Sequence, residues 1–137
     1  MDARLGTKKI GRLLIVDDCA RMRQAIRSTV EDLVEEFFEA EDGGTAIAAY
    51  LQHKPDWVTM DLSMSPVDGL TAVQEIRSRD SRARILIVTV HNTKAFREAA
   101  GLAGASGYVL KDDLGKIRDE IDPAGASPES LTKSSKI

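Results

Sequence analysis

The chain lacks the features that would tie it to an oxidising compartment, a membrane or a nucleic acid. Of its 137 residues one is cysteine, Cys19, so no internal disulfide can form, and a reducing cytoplasm is the expected location. No stretch approaches the roughly 18 apolar residues of a membrane span. Arg4, Lys8 and Lys9 precede no apolar segment of signal-peptide length. Positive charge is not in excess: 19 Lys and Arg stand against 22 Asp and Glu, a formal net charge of -3. That balance gives no basic footprint, so neither nucleic acid nor an anionic membrane is expected as a direct partner. The length suits one domain with a real core and leaves little for a second.

What is present is a repeated pattern. Leu13–Val16 runs into Asp17 and Asp18, Trp57–Met60 into Asp61, Ile85–Val88 into Thr89, and Tyr108–Leu110 into Lys111. Apolar runs that finish on polar residues predict parallel strands whose carboxyl ends meet at one edge, where open α/β sheets place their sites. Between them lie helical spacings: Ala25, Ile26, Thr29, Val30 and Leu33 within 20–33; a helix over 46–53 capped by Thr45; Leu70, Val73 and Ile76; and Ala95, Phe96, Ala99 and Leu102 within 93–103. A short strand is expected over 36–40 and the most apolar strand over 84–90. Leu114, Ile117 and Ile121 give a fifth helix one thin stripe before Pro123. The chain thus reads as βα repeated five times, a parallel sheet with helices on both faces and right-handed crossovers. A lead-in occupies 1–11, the α/β domain 12–121, and a flexible polar tail 122–137.

The strand-end residues make a chemical set. Two adjacent acids exceed what a helix cap needs. Mg²⁺ takes hard oxygen ligands and keeps several waters, so one or two carboxylates suffice to hold it. Asp18 is expected in direct contact, with Asp17 in contact directly or through water. Asp61 is then a nucleophile able to attack phosphorus and become an aspartyl phosphate. Neighbouring carboxylates would repel an incoming phosphate unless a cation reverses the local field. Lys111 would hold Asp61 before reaction and a phosphoryl oxygen afterwards, and the Thr89 hydroxyl could donate to a phosphoryl oxygen. Cys19 reads as a small helix-start residue, and His53 and His91, without metal-ligand spacing, as surface residues. Lys94, Arg97 and Glu98 read as a solvated helix face.

These residues resemble the receiver domain of two-component response regulators over roughly 11–121. The matching segments are Leu14-Ile15-Val16-Asp17-Asp18, Ala40-Glu41-Asp42-Gly43, and Met60-Asp61-Leu62-Ser63-Met64 with Asp68-Gly69. Thr89, Gly104-Ala105 and Gly107-Tyr108-Val109-Leu110-Lys111-Asp112 complete the match. The resemblance implies a doubly wound (βα)5 flavodoxin-like fold with strand order 2-1-3-4-5. It implies Asp61 as phosphoacceptor, and Asp17 and Asp18 as the Mg²⁺ pair with the Ser63 backbone carbonyl as a further ligand. Lys111 would be the phosphate-binding lysine, and Thr89 and Tyr108 a switch pair that reshapes the surface of the fourth helix, fifth strand and fifth helix. The implied donor is a sensor histidine kinase or phosphotransfer protein, and a homodimer is compatible with the family. The chain would accept a phosphoryl group and act as no general enzyme, catalysing only its own phosphorylation and dephosphorylation.

Three positions depart from the family pattern. Proline comes one place late in Met64-Ser65-Pro66, Asp112 follows Lys111 where proline is common, and Val90 follows Thr89 where a small residue is common. Val90 is expected to narrow access to Asp61. The Thr89-Val90-His91 segment and the Gly-Tyr-Val-Leu-Lys-Asp ending look most like receivers attached to LuxR-type DNA-binding domains. The polar tail is too short for such a domain. A stand-alone receiver and the truncated amino-terminal half of a transcription regulator are the two forms expected.

Other readings fit less well. A haloacid-dehalogenase-type hydrolase wants a second Asp two places after the nucleophile, where this chain has Ser63. A flavodoxin-type cofactor binder needs a phosphate-accepting loop after the first strand, where Asp17 and Asp18 would repel the phosphate. A receiver-like module that binds partners without phosphorylation is the main alternative.

Overall fold

The structure, a computed structural model, describes residues 9–64 and 67–122. Pro66 and the tail beyond Asp122 lie outside the described residues, as does most of the lead-in. Five strands alternate with five helices: β1 Ile10–Val16, α1 Ala20–Val30, β2 Val34–Ala40, α2 Gly43–His53, β3 Trp57–Met60, α3 Gly69–Arg79, β4 Ile85–Thr89, α4 Lys94–Ala103, β5 Gly107–Leu110 and α5 Lys116–Ile121, with a 3₁₀ turn at Lys111–Asp113. The strands form one parallel sheet in the order β2-β1-β3-β4-β5.

Alternation along the strands builds two cores, one on each face of the sheet. Leu14, Val16, Val58, Met60, Ile85 and Ile87 pack under α2, α3 and α4, against Ala46, Tyr50, Val73, Ile76, Ala100 and Ala103. Leu13, Ile15, Leu86, Val88 and Val109 point the other way and meet Ile26 and Val30 of α1 and Ile117 and Ile121 of α5. Each such side chain, fully buried, contributes about 1.5–3 kcal/mol by leaving water. Because both faces are covered, β3, β4 and the Leu13–Val16 part of β1 read as continuous apolar runs, whereas the edge strand β2 exposes Glu35, Glu36 and Glu39.

Several boundaries differ from the sequence expectation, each for a local reason. β1 starts at Ile10, inside the expected lead-in, because Ile10 is buried and its N–H donates to the Leu33 carbonyl at 2.9 Å. α1 ends at Val30, not 33. The chain turns there, Leu33 N–H donating to the Val30 carbonyl at 2.9 Å, and β2 begins at Val34. α2 begins at Gly43 rather than Ala46. Its cap is Asp42, whose carboxylate accepts from Thr45 N–H at 2.8 Å, and Thr45 closes a capping box instead of capping. β4 spans Ile85–Thr89, and Val90 has left the strand and is 67 % exposed.

The buried face of α4 is also rotated from the expected one. Leu102 is 89 % exposed and Ala95 is exposed, while Ala100 and Ala103 are buried and Phe96 and Ala99 half-buried. Phe96, Ala99, Ala100 and Ala103 form an i, i+3, i+4, i+7 stripe. Small side chains on it let the helix sit close to the sheet, which hydrophobicity alone does not signal. α5 adds a polar clamp to its thin apolar stripe: the Arg118 guanidinium donates to both carboxylate oxygens of Asp32, at 2.6 and 3.1 Å, and to the Thr29 carbonyl at 3.1 Å.

Candidate functional site

Register brings the acids together. Val16 pairs with Met60 across β1 and β3, so the next residues, Asp17 and Asp61, stand side by side at the carboxyl edge. Backbone bonds hold both: Asp61 N–H donates to the Val16 carbonyl at 3.0 Å, and Asp17 N–H to the Ala40 carbonyl at 3.1 Å. Asp17 is 1 % exposed and Asp61 3 %, whereas Asp18 faces solvent. One carboxylate oxygen from each of the three lies within 4.8 Å of the others. Thr89 pairs with Leu110 across β4 and β5, which puts Lys111 at the same edge. Its Nζ lies 2.8 Å from Asp17 Oδ2 and 3.5 Å from Asp61 Oδ1. The lysine expected to hold Asp61 thus makes its shorter contact with Asp17.

The electrostatics follow from crowding. Burial pushes the Asp61 carboxyl up from its ordinary value, and the Asp17 charge adds to this. Lys111 and the Ser63 backbone N–H pull it down without prevailing. Lys111 also moves up, for a different reason: burial opposes its charge, but its contacts with Asp17 and Asp61 outweigh that cost. Three carboxylates against one ammonium leave the site negative. Asp17 Oδ2 and Asp61 Oδ1 are buried with no hydrogen-bond partner among the described residues beyond the ionic contact with Lys111. Hard, under-satisfied oxygens converging on one point fit a divalent cation such as Mg²⁺.

Around this centre the structure adds contacts. Thr89 is fully buried, and its Oγ1 accepts from His91 N–H at 3.3 Å. The Tyr108 hydroxyl donates to the His91 carbonyl at 2.9 Å, and the Arg97 guanidinium sits 4.6 Å from its ring centre. Burial raises the Tyr108 pKa, with Arg97 opposing. The expected switch pair is therefore joined through one residue. That residue, His91, was expected as free surface. It is half-buried, stacks on Phe96 at 4.2 Å between ring centres, and its Nε2 lies 2.7 Å from Ser63 Oγ. His53 likewise stacks on Phe38 at 3.8 Å. Gly69 lets the start of α3 close on the acceptor loop, since a Cβ there would overlap the Asp61 carbonyl oxygen.

A family model described as the response regulator receiver domain matches residues 13–122. The chain belongs to the response regulator receiver family. The receiver is 41 % identical over 101 residues to a chemotaxis protein CheY of Bacillus subtilis, covering 73 % of this chain and 84 % of that protein. It is 37 % identical over 103 residues to a nitrate/nitrite response regulator homolog of Haemophilus influenzae, of which it spans 50 %. Among solved structures it superposes with a LuxR-family two-component response regulator from Aurantimonas sp. SI85-9A1. There the TM-score is 0.78 and the identity 35 %, over 91 % of this chain and 95 % of that one. The receiver domain of a NarL response regulator from Mycobacterium tuberculosis gives 0.74 at 27 %, over 81 % and 94 %. The receiver is thus a two-component signalling domain of the CheY-like kind. Among the described residues no helix is long and apolar enough to cross a membrane.

Two residues at the site escaped the sequence. His91 gave no signal because its partner Ser63 is distant in sequence and its ring could equally have faced solvent. Arg23, whose Nη1 donates to the Asp17 carbonyl at 2.6 Å, reads in sequence as one more charge on an amphipathic helix.

Proposed function

We propose that this receiver accepts a phosphoryl group on Asp61 from a phosphohistidine of a sensor histidine kinase or phosphotransfer protein in the cytoplasm. The observation that carries it is the convergence of Asp17, Asp18 and Asp61 within 4.8 Å, with Lys111 in ionic contact, at the carboxyl edge of the sheet. Mg²⁺ held by these carboxylates, with the Ser63 backbone carbonyl as a further ligand, would neutralise the charge on the phosphoryl oxygens. The Asp61 carboxylate, poorly solvated by burial, attacks phosphorus. The new P–O bond forms as the P–N bond breaks, and the imidazole leaves with the electron pair. Lys111 turns from the carboxylates toward a phosphoryl oxygen, and its charge offsets the one gained.

The Thr89 hydroxyl accepts from His91 N–H and keeps its own proton to donate to the phosphoryl group. Movement of Thr89 toward that group draws on His91, whose carbonyl holds the Tyr108 hydroxyl. The surface of α4, β5 and α5 is the readout, and a partner or a second copy would recognise it. Intact mass after incubation with acetyl phosphate or beryllofluoride and Mg²⁺ tests this. An adduct on the native chain, lost with EDTA and absent from Asp61→Asn, is expected. No adduct from either donor, nor from a kinase, would refute it.

A further inference from the structure

Arg23 reaches the acid pair from α1, and the phosphoryl transfer described above does not use it. Its guanidinium spans two anchors: Nη1 donates to the Asp17 backbone carbonyl at 2.6 Å, and Nε to Glu39 Oε1, near the end of β2, at 2.6 Å. Arg27 Nη1 lies 3.9 Å from the other Glu39 oxygen. The Arg23 side chain is only 15 % exposed, a charge withdrawn from water and held by a planar fork.

The other contacts of Asp17 run to different elements, and its Oδ2 stays open to an ion on the side away from Lys111. Its N–H bonds to Ala40, its Oδ1 accepts from Cys19 N–H at 2.9 Å, and its Oδ2 faces Lys111. The carbonyl that Arg23 grips belongs to the peptide joining Asp17 to Asp18. Fixing that carbonyl fixes the peptide plane, and with it the place of the Asp18 Cα from which the carboxylate is presented. Asp18 is the exposed member of the set, without the burial that holds Asp17 and Asp61 in place. We propose that Arg23 is a positioning residue for the cation site, presenting Asp18 to the ion through the Asp17 carbonyl.

This rests on the reading that the three carboxylates hold Mg²⁺. Electrostatics separates it from the plainer role of an α1–β2 salt bridge. A guanidinium beside a cation site repels the cation, so by charge alone Arg23→Gln should tighten binding and Arg23→Lys should leave it unchanged. Positioning gives the opposite sign for the first and a loss for the second, because an ammonium cannot hold both anchors as a fork does.

The test is a calorimetric titration of the full chain with MgCl₂, using wild type, Arg23→Gln, Arg23→Lys and Asp18→Asn, each checked by circular dichroism. Expected is about a tenfold weaker Mg²⁺ affinity for Arg23→Gln, a smaller loss for Arg23→Lys, and near abolition for Asp18→Asn. If Arg23→Gln does not fold, Arg23→Lys decides. A folded Arg23 variant that binds Mg²⁺ as tightly as wild type, or more tightly, overturns the positioning role alone. Absence of binding by wild type, or unaltered binding by Asp18→Asn, overturns the cation reading and this role with it.

Discussion

Replacing Lys111 by Met keeps the stem and removes the ammonium from between two acids that are 1 % and 3 % exposed. Deleting one partner of a buried ion pair costs about 3–5 kcal/mol, because the remaining charges are left uncompensated. The edge of this site opens to solvent at Asp18, so the lower end applies, about 3 kcal/mol. For the roughly 110 residues of the matched span, unfolding entropy of about 2.1 cal/mol/K per residue turns this into a Tm lower by about 13 °C. The assay is thermal unfolding at pH 7 in EDTA, repeated with excess MgCl₂. The sign with pH is also set. Lys111 has a raised folded pKa, so its contribution is fully present below its unfolded value and lost only as pH rises through the folded one. At neutral pH the whole effect is therefore visible. Mg²⁺ should raise the Tm of Lys111→Met more than that of wild type, since the ion supplies the missing positive charge without competition from the ammonium. A variant that melts at or above the wild-type temperature in EDTA would refute the reasoning, and equal Mg²⁺ shifts would refute the account of competition.

Asp61→Asn should stabilise the apo protein. The folded state holds the Asp61 proton more tightly than the unfolded chain, so stability falls as pH rises from the ordinary Asp value of about 4 through the higher folded one, and the cost persists at pH 7. Melting curves from pH 4 to 8 should show a shallower decline for the variant; identical slopes would count against a perturbed Asp61. Gly69→Ala drives a Cβ into the acceptor-loop backbone and should cost about 2 kcal/mol in urea unfolding, with slower labelling by acetyl phosphate. Leu102→Ser, at an 89 % exposed position, should change stability by less than about 0.5 kcal/mol. A loss above about 1.5 kcal/mol would mean that Leu102 packs after all.

Much of this was legible in the sequence because the strands carry it. Runs such as Ile85–Val88 are buried on both faces, so they read as strands without ambiguity, and a residue that ends such a run is bound to the sheet edge by register. That is why the sequence by itself places Asp17, Asp61, Thr89 and Lys111 at one edge. Helix faces were less legible. In α4 the sheet selects Ala100 and Ala103 over Leu102, a preference for closeness that hydrophobicity does not encode. The start of α2 is ambiguous in the sequence because Asp42 and Thr45 cap reciprocally, and either one alone satisfies a capping pattern. Contacts such as Ser63 with His91 and Arg23 with Asp17 depend on side-chain direction between separate elements, which no spacing rule conveys.

Lys111 is delivered by β5, the last strand in the chain, whereas Asp17 and Asp61 come with β1 and β3. An amino-terminal portion of the chain, such as one emerging during synthesis, can align β1 with β3 and so bring two carboxylates together before the ammonium exists to answer them. Without a bound cation, the partial sheet then carries a self-repulsion that the Lys111 ammonium relieves when the final strand docks. The same carboxylates that fit the domain for phosphate chemistry would therefore penalise incomplete folding, joining the docking of β5 to the rest of the sheet in one cooperative step.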